Sequence, residues 1–454
     1  MTAASPSPAT TTVLEHPSHG RPEAPLVLDT APPRTLGFRD QFALWANLGI
    51  SLIGFTSAAT VLGAQGQELS ITAAATAIVL GTVIGTAMLA VAALIGSRTG
   101  APAMAVLRGL FGTRLSYLPT VLNVLQCVGW GIYELLVISS GAQTVVGTGG
   151  WHWLFVLAAG ALTTALTIWP LGSIAALRKY VAIGVGIAMV YFTVQLGRHH
   201  IPNPGRGNWH GFLSATDAII AVSVSFVPLA ADYTRHSRTA RSAFWGTFSG
   251  YTVAQVWCYG LGLIALLQSQ GDARNLLGSF TGVAAGWAFL LVLVLREADQ
   301  SFANVYSTAM SLHNLFPRVD RRLLTGGIGL LVTVVASQID QFADWYSNFL
   351  YLIGSVFVPL LAVLAVDYFL GRGRRGWDMG QQAPSRPLLL LPWALGFATY
   401  QFLAPTGIKG WSGFWTGLQS LVHFTPQEWT SASLFSFLVA GLATLALGRA
   451  LPKA

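Results

Sequence analysis

The chain has 454 residues, of which 53% are hydrophobic and 9% are charged, and its mean hydropathy is +0.58. A soluble domain carries about a quarter charged residues, so this chain has too few charges to cover a water-facing surface of its size. The formal net charge of +8 comes from basic residues in loops between apolar runs. Basic residues in such loops set the orientation of a membrane protein, and they are not clustered as a nucleic-acid-binding surface would require.

Residues 1 to about 36 are rich in Pro, Ala, Thr and Ser and contain no long apolar run, so we predict a disordered tail and no signal peptide. Beyond this tail, apolar windows of roughly 18 to 25 residues recur, and each can cross a hydrocarbon core of about 30 Å. They predict an all-α integral membrane protein with twelve transmembrane helices, here called spans one to twelve. These lie at 41–64, 71–96, 118–146, 152–170, 180–197, 211–231, 243–267, 281–311, 323–339, 343–370, 387–404 and 431–449.

The basic residues of the loops alternate from one side of the predicted membrane to the other. They are frequent after the even-numbered spans, whereas the opposite loops offer only Arg198, Arg206, Arg274 and Lys409. By the positive-inside rule, both termini are predicted to be cytoplasmic, in a multi-pass protein of the cell membrane.

Spans one and six both have polar, helix-breaking interiors. Their residues of this kind are Asn47, Gly49, Ser51 and Gly54 in span one, and Ser223, Ser225 and Pro228 in span six. Paired interruptions at matching places in two halves are typical of an inverted-repeat transporter with its site at the membrane midplane. The alternative is that these are ordinary membrane helices, in which Gly, Ser and Pro are also common.

Span three carries a stripe of polar and aromatic residues on one helix face. Gln126, Trp130 and Glu134 are spaced i, i+4, i+8. An indole offers a stacking face and a carboxylate accepts ring N–H bonds, which suits a flat heterocycle. A core Trp packed beside a Glu that is paired elsewhere is an equally good interpretation.

Span eight contains three ionisable residues, Arg296, Glu297 and Asp299. Each charge near the bilayer centre costs about 2.5 to 3.5 kcal/mol on insertion scales, so these side chains are predicted to face a cavity or to pair with one another. Arg296 and Asp299 are spaced i, i+3 and can form an ion pair, and Asn304 lies on the same broad face. The alternative places the charges at a helix end, reaching into the headgroups.

The remaining residues give no sign of an enzyme or of a bound cofactor. Cys127 and Cys258 both lie inside spans, and neither a disulfide nor a metal site is expected. No zinc, phosphate-loop or nucleophile signature is present. Gly81 and Gly85 form a small-xxx-small pair that predicts close helix packing.

Five segments, in order on spans one, three, six, eight and ten, resemble the nucleobase–cation symporter family, also called purine-cytosine permeases. The segments are GFRDQFALWANLGIS, QCVGWGIYE, SFVPLAADYTRHSR, FANVYSTAM and NFLYLIGSVFVPLLAVLAVDYFLGRGRR. The resemblance runs from about Gly37 to Arg375 and is similar in detail to the hydroxymethylpyrimidine and cytosine branch. It implies a LeuT-like core of five plus five inverted helices over 37–375, followed by two further helices in 376–454.

The resemblance also implies a substrate site on spans one, three, six and eight. Trp130 matches the family's stacking tryptophan, Glu134 falls where hydantoin-type members have an amide, and Asn304 matches a substrate-binding asparagine. Ser51 falls at a polar position of span one near Asn304. Ser223 stands where a second stacking aromatic is expected, nine residues before Asp232, and Phe226 is a candidate for that role.

The family's sodium site maps here onto the backbone carbonyls of Asn47, Ile50 and Leu295 and onto the hydroxyl positions now held by Ala298 and Asp299. Neither hydroxyl is kept. A carboxylate at Asp299 can hold Na⁺ or a proton, and Arg296 can act as a built-in cation. The co-transported ion is therefore left open between H⁺ and Na⁺.

Together these features predict a secondary active transporter that imports a planar nitrogen heterocycle, such as cytosine, a purine or hydroxymethylpyrimidine, by alternating access. The alternatives are transport of hydantoin, allantoin or a vitamin precursor, and a membrane-embedded sensor without net transport. The sequence does not determine the oligomeric state, although a monomer is compatible with it.

Overall fold

The computed structural model describes residues 32–62, 69–147, 151–168, 174–198, 207–269, 275–315, 319–339 and 343–450. The predicted tail lies almost entirely outside these ranges. In the described residues the chain is helical, and its only β-type pairings there are two isolated bridges. The helices are α1 (Phe38–Gly49), α2 (Leu52–Thr56), α3 (Ala58–Leu62), α4 (Ile71–Thr99), α5 (Ala103–Phe111), α6 (Tyr117–Val146), α7 (His152–Ile168), α8 (Ile174–Leu196), α9 (Phe212–Val224), α10 (Ala230–Thr234), α11 (Ala240–Gln268), α12 (Leu276–Thr281), α13 (Gly286–Leu315), α14 (Arg321–Ser337), α15 (Ala343–Leu370), α16 (Leu390–Leu403), α17 (Trp411–Leu421) and α18 (Ala432–Ala450).

Each of the twelve predicted spans coincides with a helix or with a broken series of helices. Six segments of the described residues are long and apolar enough to cross a membrane: α4, α6, α9 with α10, α11, α15 and α18. A seventh forms if α1 to α3 are taken as one bent segment. Helices α7, α14 and α16 and the C-terminal part of α8 are also apolar, but they are shorter than these six segments. That all twelve cross the bilayer stays a prediction.

Span one is broken at Ile50 and Ser51, which have extended backbone. The helices on either side of the break are bent by 55°. Ser51 begins the second part, because its hydroxyl oxygen accepts a 3.0 Å hydrogen bond from the N–H of Ile53 and so satisfies a backbone donor at the start of α2.

Span six is broken in the corresponding place. Helix α9 ends at Val224, and a turn at Ser225 and Phe226 leads into a 3-10 turn, Val227–Leu229, before α10 begins. Pro228 lies in this turn, where its missing N–H removes a helical hydrogen bond. The predicted interruptions of spans one and six are both present.

The helices form two groups with a repeated pattern of contacts. One group holds α1, α2, α4, α9, α10 and α11, and the other holds α6, α7, α13 and α14. Helix α1 packs on α11 as α9 packs on α4, and α6 packs on α7 as α13 packs on α14. This is the pattern expected of two five-span repeats, with α1 to α8 corresponding to α9 to α15.

Glycines bring the backbones of the first group into direct contact. A Cβ atom at Gly250 of α11 would lie 2.4 Å from the carbonyl oxygen of Phe42, and one at Gly262 would lie 2.2 Å from that of Phe55. The other pair behaves alike, since a Cβ atom at Gly81 of α4 would lie 2.8 Å from the carbonyl oxygen of Thr216. The predicted close packing at Gly81 is confirmed, and we call these positions the glycine contacts.

The last helix is tied to span six through a buried carboxylate. Asp217 of α9 accepts hydrogen bonds from the hydroxyl of Ser431 at 2.5 Å and from the N–H groups of Ala432 at 2.7 Å and Ser433 at 3.2 Å. These N–H groups belong to the start of α18, where they have no helical acceptor. Asp217 is therefore a capping residue within the apolar part of the protein.

Candidate functional site

A cavity lies beside both helix breaks, and residues of α6, α11, α13 and α15 complete its wall. Its polar and aromatic lining includes Ser51, Gln126, Trp130, Glu134, Ser225, Phe226, Tyr251, Gln255, Gln300, Asn304 and Tyr346. Five of the six predicted substrate residues therefore lie together, although they come from four different spans. The sixth, Ser223, is not part of the lining.

Glu134 and Asn304 meet at the cavity wall. The side-chain amide of Asn304 donates a 2.8 Å hydrogen bond to Oε1 of Glu134, whose side chain is buried. The hydroxyl of Ser301 also interacts with this carboxylate, although Oε2 accepts no well-formed hydrogen bond from the described residues. Oε1 is thus held by Asn304, and Oε2 can accept a hydrogen bond from a ligand.

Gln126 supplies a second acceptor about two turns away on the same helix. Its amide nitrogen donates to the carbonyl of Ser225 at 2.8 Å and to Oδ1 of Asn123 at 2.9 Å. Its buried Oε1 has no partner in the described part of the chain. The bond to Ser225 fixes the turn at the break of span six against α6.

Aromatic side chains form two walls of the cavity. Trp130 makes edge contacts with Phe349 and Tyr346, at ring-centroid distances of 5.2 and 6.2 Å. Its buried indole N–H has no acceptor among the described residues. On the other wall, Phe226 makes edge contacts with Tyr251 at 5.4 Å and Trp45 at 6.1 Å. A flat ring between these walls would find aromatic surface from both spans three and six.

Ser51 lies on the cavity wall, but its hydroxyl already has a partner. It donates a 2.6 Å hydrogen bond to Oε1 of Glu297, and the N–H of Leu52 donates at 2.8 Å to Oε2 of the same carboxylate. Glu297 is fully buried. The contact joins α13 to the start of α2, so the hydroxyl of Ser51 stabilises the helix break.

Ser223 lies away from the cavity. Its side chain is fully buried, and its hydroxyl donates a 2.8 Å hydrogen bond to Oε1 of Gln255. A Cβ atom at Gly85 would lie 2.9 Å from its Cβ, so this face of α9 packs against α4 and α11. Ser223 bonds to Gln255, which lines the cavity, but is not itself a lining residue, and its contact with substrate stays a prediction.

Arg296 is buried between spans one and eight. Its Nε donates to Oδ1 of Asn47 at 3.1 Å, and a terminal nitrogen donates to the backbone carbonyl of Asn47. The same nitrogen lies 3.3 Å from Oε1 of Gln300. Only 3% of Arg296 is exposed, so the alternative in which it reaches into the headgroups is wrong.

The other predicted cation-site residues offer few side-chain oxygens. Ala298 is buried and has none, while the side chain of Leu295 is half exposed and leaves only its backbone carbonyl as a candidate. The N–H of Ile50 bonds to the carbonyl of Ala46 at 3.1 Å in the first part of span one. The side chain of Asp299, and with it the predicted Arg296–Asp299 ion pair, lies outside the described residues.

Spans seven and ten contribute to the cavity without having been predicted to do so. Tyr251, Gln255 and Tyr259 of α11 are spaced i, i+4, i+8, and Tyr346 lies near the start of α15. Polar residues at helical spacing within an apolar span are the same signal that identified span three. That signal was available for span seven.

Two broken helices that meet at a polar and aromatic cavity, within two packed repeats, define an all-helical membrane transporter of LeuT-like fold. The sequence pattern of permeases for cytosine and purines, uracil, thiamine and allantoin matches residues 30–379, and the chain belongs to this family. It is therefore a multi-pass membrane transporter and not an enzyme. Members of the family are cation-coupled carriers of small nucleobase-like or hydantoin-like molecules.

Two curated relatives are similar over most of their length. A putative purine-cytosine permease of Bacillus subtilis is 24% identical over 360 residues, which are 74% of this chain and 76% of that protein. A hydantoin permease of Microbacterium maritypicum is 24% identical over 373 residues, 75% of this chain and 74% of that protein.

Solved structures share the fold. The nucleobase-cation-symport-1 transporter Mhp1 matches in a closed conformation with bromovinylhydantoin bound, at a TM-score of 0.68 and 18% identity over 94% of this chain and 96% of that one. Its inward-facing conformation matches at a TM-score of 0.73 and 17% identity over 93% of each chain.

Proposed function

We propose that this protein imports a planar nitrogen heterocycle that carries an exocyclic amine, by cation-coupled secondary transport. The substrate class includes cytosine, aminopurines and hydroxymethylpyrimidine-like rings. The ring lies near Trp130 and Phe226, and Glu134 and Asn304 bind its polar edge. The protein works in the cell membrane with both termini cytoplasmic, and a single chain contains the whole cavity.

The observation that carries this proposal is a pair of buried acceptors on residues that line the cavity. Oε2 of Glu134 and Oε1 of Gln126 accept no well-formed hydrogen bond in the described part of the chain. A buried acceptor left unsatisfied costs about 1 to 3 kcal/mol. A ligand that brings N–H donors to both atoms recovers this free energy on binding, so the cavity favours a donor-rich ring.

The chemistry of the carboxylate distinguishes between kinds of ring. In uracil or hydantoin, the imide N–H lies between two carbonyl oxygens and the other ring N–H lies beside one, so a carboxylate that accepts from either is repelled by at least one carbonyl. An amino group beside a ring nitrogen presents N–H bonds without that repulsion. Because hydrogen bonds to a charged group contribute about 1.5 to 3 kcal/mol, Glu134 selects for the aminated ring.

The aromatic side chains of the cavity account for the preference for a flat substrate. Ring pairs in offset or edge geometry contribute about 0.5 to 1.5 kcal/mol beyond the area they bury. Trp130 from span three and Phe226 from span six approach the cavity from different helix groups. A ring that touches both joins the two groups when it binds.

The packing of the two groups supports alternating access. Glycine contacts hold α1 to α11 and α4 to α9, whereas the two groups meet through polar contacts near the cavity. These are the bonds of Arg296 to Asn47, Glu297 to Ser51, and Gln126 to Ser225. Rocking of one repeat group against the other around a central site exposes that site to each side in turn. Polar contacts can exchange partners during this motion, while backbone packing cannot.

Hydantoin, allantoin or a vitamin precursor remains the second candidate, since one relative is a hydantoin permease. The indole N–H of Trp130, which lacks an acceptor among the described residues, could donate to a ring carbonyl of such a substrate. A sensor without net transport is the third candidate.

A competition panel tests the proposal. Purified protein in proteoliposomes is given labelled cytosine with unlabelled uracil, adenine, hypoxanthine, hydantoin, allantoin or hydroxymethylpyrimidine. We expect the amino-substituted members to compete at least about tenfold more strongly than their oxo counterparts, since one charged hydrogen bond corresponds to that factor. Stronger competition by uracil or hydantoin would favour the second candidate, and binding without accumulation would favour a sensor.

A further inference from the structure

We infer that the guanidinium group of Arg296 takes the place of a bound sodium ion between spans one and eight, so that this protein works without sodium. The inference deepens the proposed function, because it specifies how the cation site of that transporter is filled. It depends on the contacts of Arg296 and not on the identity of the substrate.

The first step concerns the backbone at the break of span one. Helix α1 ends at Gly49, so the carbonyl groups of its last turn lack the usual helical partners. The carbonyl of Asn47 is one of them, and it was the first predicted sodium ligand. In the structure it accepts a hydrogen bond from Arg296, whose Nε also donates to Oδ1 of the same residue.

The second step concerns charge. A guanidinium carries a positive charge and has donors only, so both oxygens of Asn47 already face a cation. A sodium ion at this place would need the same oxygens and would be repelled by the guanidinium. Ala298 supplies no side-chain oxygen to compensate. In the part of this site that the structure describes, the residues therefore do not fit a sodium ion.

The third step concerns the neighbouring residue. Glu297 accepts hydrogen bonds from the hydroxyl of Ser51 and the N–H of Leu52, on the other side of the same break. Two consecutive residues of α13 thus satisfy both ends of the interruption, with a cation for the carbonyl end and an anion for the N–H end. The guanidinium thus pairs with the carbonyl end of the break and the carboxylate with its N–H end, as the exposed partial charges of the two helix ends require.

Ion substitution on the purified full-length protein tests this directly. Thermal unfolding is measured at matched pH in about 100 mM NaCl, KCl or choline chloride, since an ion that binds only the folded state raises the melting temperature. We expect the three melting temperatures to agree within about 1 °C. A sodium-specific rise of several degrees would overturn the inference.

Substitution of the arginine gives the second readout. Arg296→Gln keeps the length of the side chain without its charge, and Arg296→Lys keeps the charge without the planar donor geometry. Arg322→Gln, on an exposed arginine of α14, is the matched control. We expect Arg296→Gln to lower uptake in sodium-free medium at least about tenfold, Arg296→Lys to lower it less, and the control to match the parent. Full uptake by Arg296→Gln would overturn the inference, and if neither variant folds, the parent protein's ion dependence decides.

The two proposals fail in different ways. If no heterocycle in the panel is transported, the proposed function fails, while the salt dependence of unfolding still tests Arg296. If uptake is found but rises steeply with sodium at constant pH, the role of Arg296 fails and the transport function stands.

Discussion

The amide group of Asn304 donates a 2.8 Å hydrogen bond to Glu134, and this contact joins α13 to α6 at the wall of the cavity. Sequence reasoning proposed both residues as separate substrate anchors. In the structure they form one contact, in which Asn304 donates to one carboxylate oxygen of Glu134 and both residues line the cavity. We therefore expect the two residues to bind the substrate as a pair, so that a substitution of either one tests both.

Asn304→Ala should weaken uptake even if Asn304 never touches the substrate. Loss of its bond leaves Oε1 of Glu134 without a donor, at a cost of about 1 to 3 kcal/mol, and frees the carboxylate to rotate. We expect uptake at low substrate concentration to fall at least about tenfold. Initial rates in proteoliposomes measure this, and Ser140→Ala, on the exposed side of α6, is the control. Unchanged uptake would exclude the pair as the anchor.

Glu134→Gln should change the preference among substrates more than it changes the rate of uptake. The substitution keeps the shape and removes the charge that favours an amino group over a carbonyl. We expect the preference for cytosine over uracil to shrink by about tenfold, as measured by competition in the same assay. A preserved preference would show that another residue reads the ring substituent.

Trp130→Ala should abolish uptake while leaving membrane insertion normal, and Trp130→Phe should retain part of it. The smaller ring keeps an aromatic face but loses the indole N–H and part of the contact area. Trp245→Ala, which removes a half-exposed tryptophan of α11, controls for general effects of losing a large ring. Normal uptake by Trp130→Ala would show that the tryptophan is only a packing residue.

Phe226 and Ser223 make opposite predictions for span six. Phe226→Ala removes a ring from the cavity wall and should lower apparent affinity by about tenfold. Ser223→Ala removes only the bond to Gln255, and we expect at most a few-fold effect on the same measurement. If Ser223→Ala were the more harmful change, the serine would have a direct role that its buried position does not explain.

Gly250→Ala should destabilise the protein, because its new Cβ atom would lie 2.4 Å from a backbone oxygen of α1 that has no room to move. Over-packed positions of this kind cost about 1 to 3 kcal/mol, so the melting temperature should fall by several degrees. Gly260→Ala is the matched control in the same helix, since a Cβ atom there meets no other atom within 4 Å. Alanine also favours the helix over glycine, so the control should be neutral or slightly stabilising.

The positions of the spans could be predicted because they depend on local composition. A run of apolar residues long enough to cross the bilayer is visible without knowing its neighbours. Pro228 likewise predicts a helix break from its own chemistry, whatever residues surround it. Short helices such as α5, α12 and α17 escaped prediction, since they lie in the connections between spans and have no transmembrane length.

The partners of the buried charges could not be predicted in the same way. The cost of burying Arg296 shows that it must be satisfied, but its acceptor, Asn47, is 249 residues away along the chain. Helical spacing favoured a neighbour on the same helix, and it could not reveal a contact made by a distant helix end. Asp217 illustrates the same limit, because its role became visible only when α18 was seen to begin beside it.

Ser223 shows where family position and geometry diverge. Its place in the sequence suggested the substrate face of span six, but α9 is still helical at this residue and turns the side chain towards α4 and α11. Phe226 lies after the helix has ended, where the turn directs it to the cavity. A difference of three residues therefore separates a packing residue from a wall residue, and the location of the helix end decides between them.

The glycine contacts imply two separable kinds of sensitivity across the molecule. In a saturating library of single substitutions, Gly250 and Gly262 should tolerate no larger residue of any polarity, because the limit there is volume. Asn47, Ser51 and the two charged residues of α13 that bond to them should instead distinguish polar from apolar replacements of similar size. A map of the tolerated residues would then distinguish helices that move as one rigid body from the interfaces that open between the groups. It would do so without a structure of a second conformation.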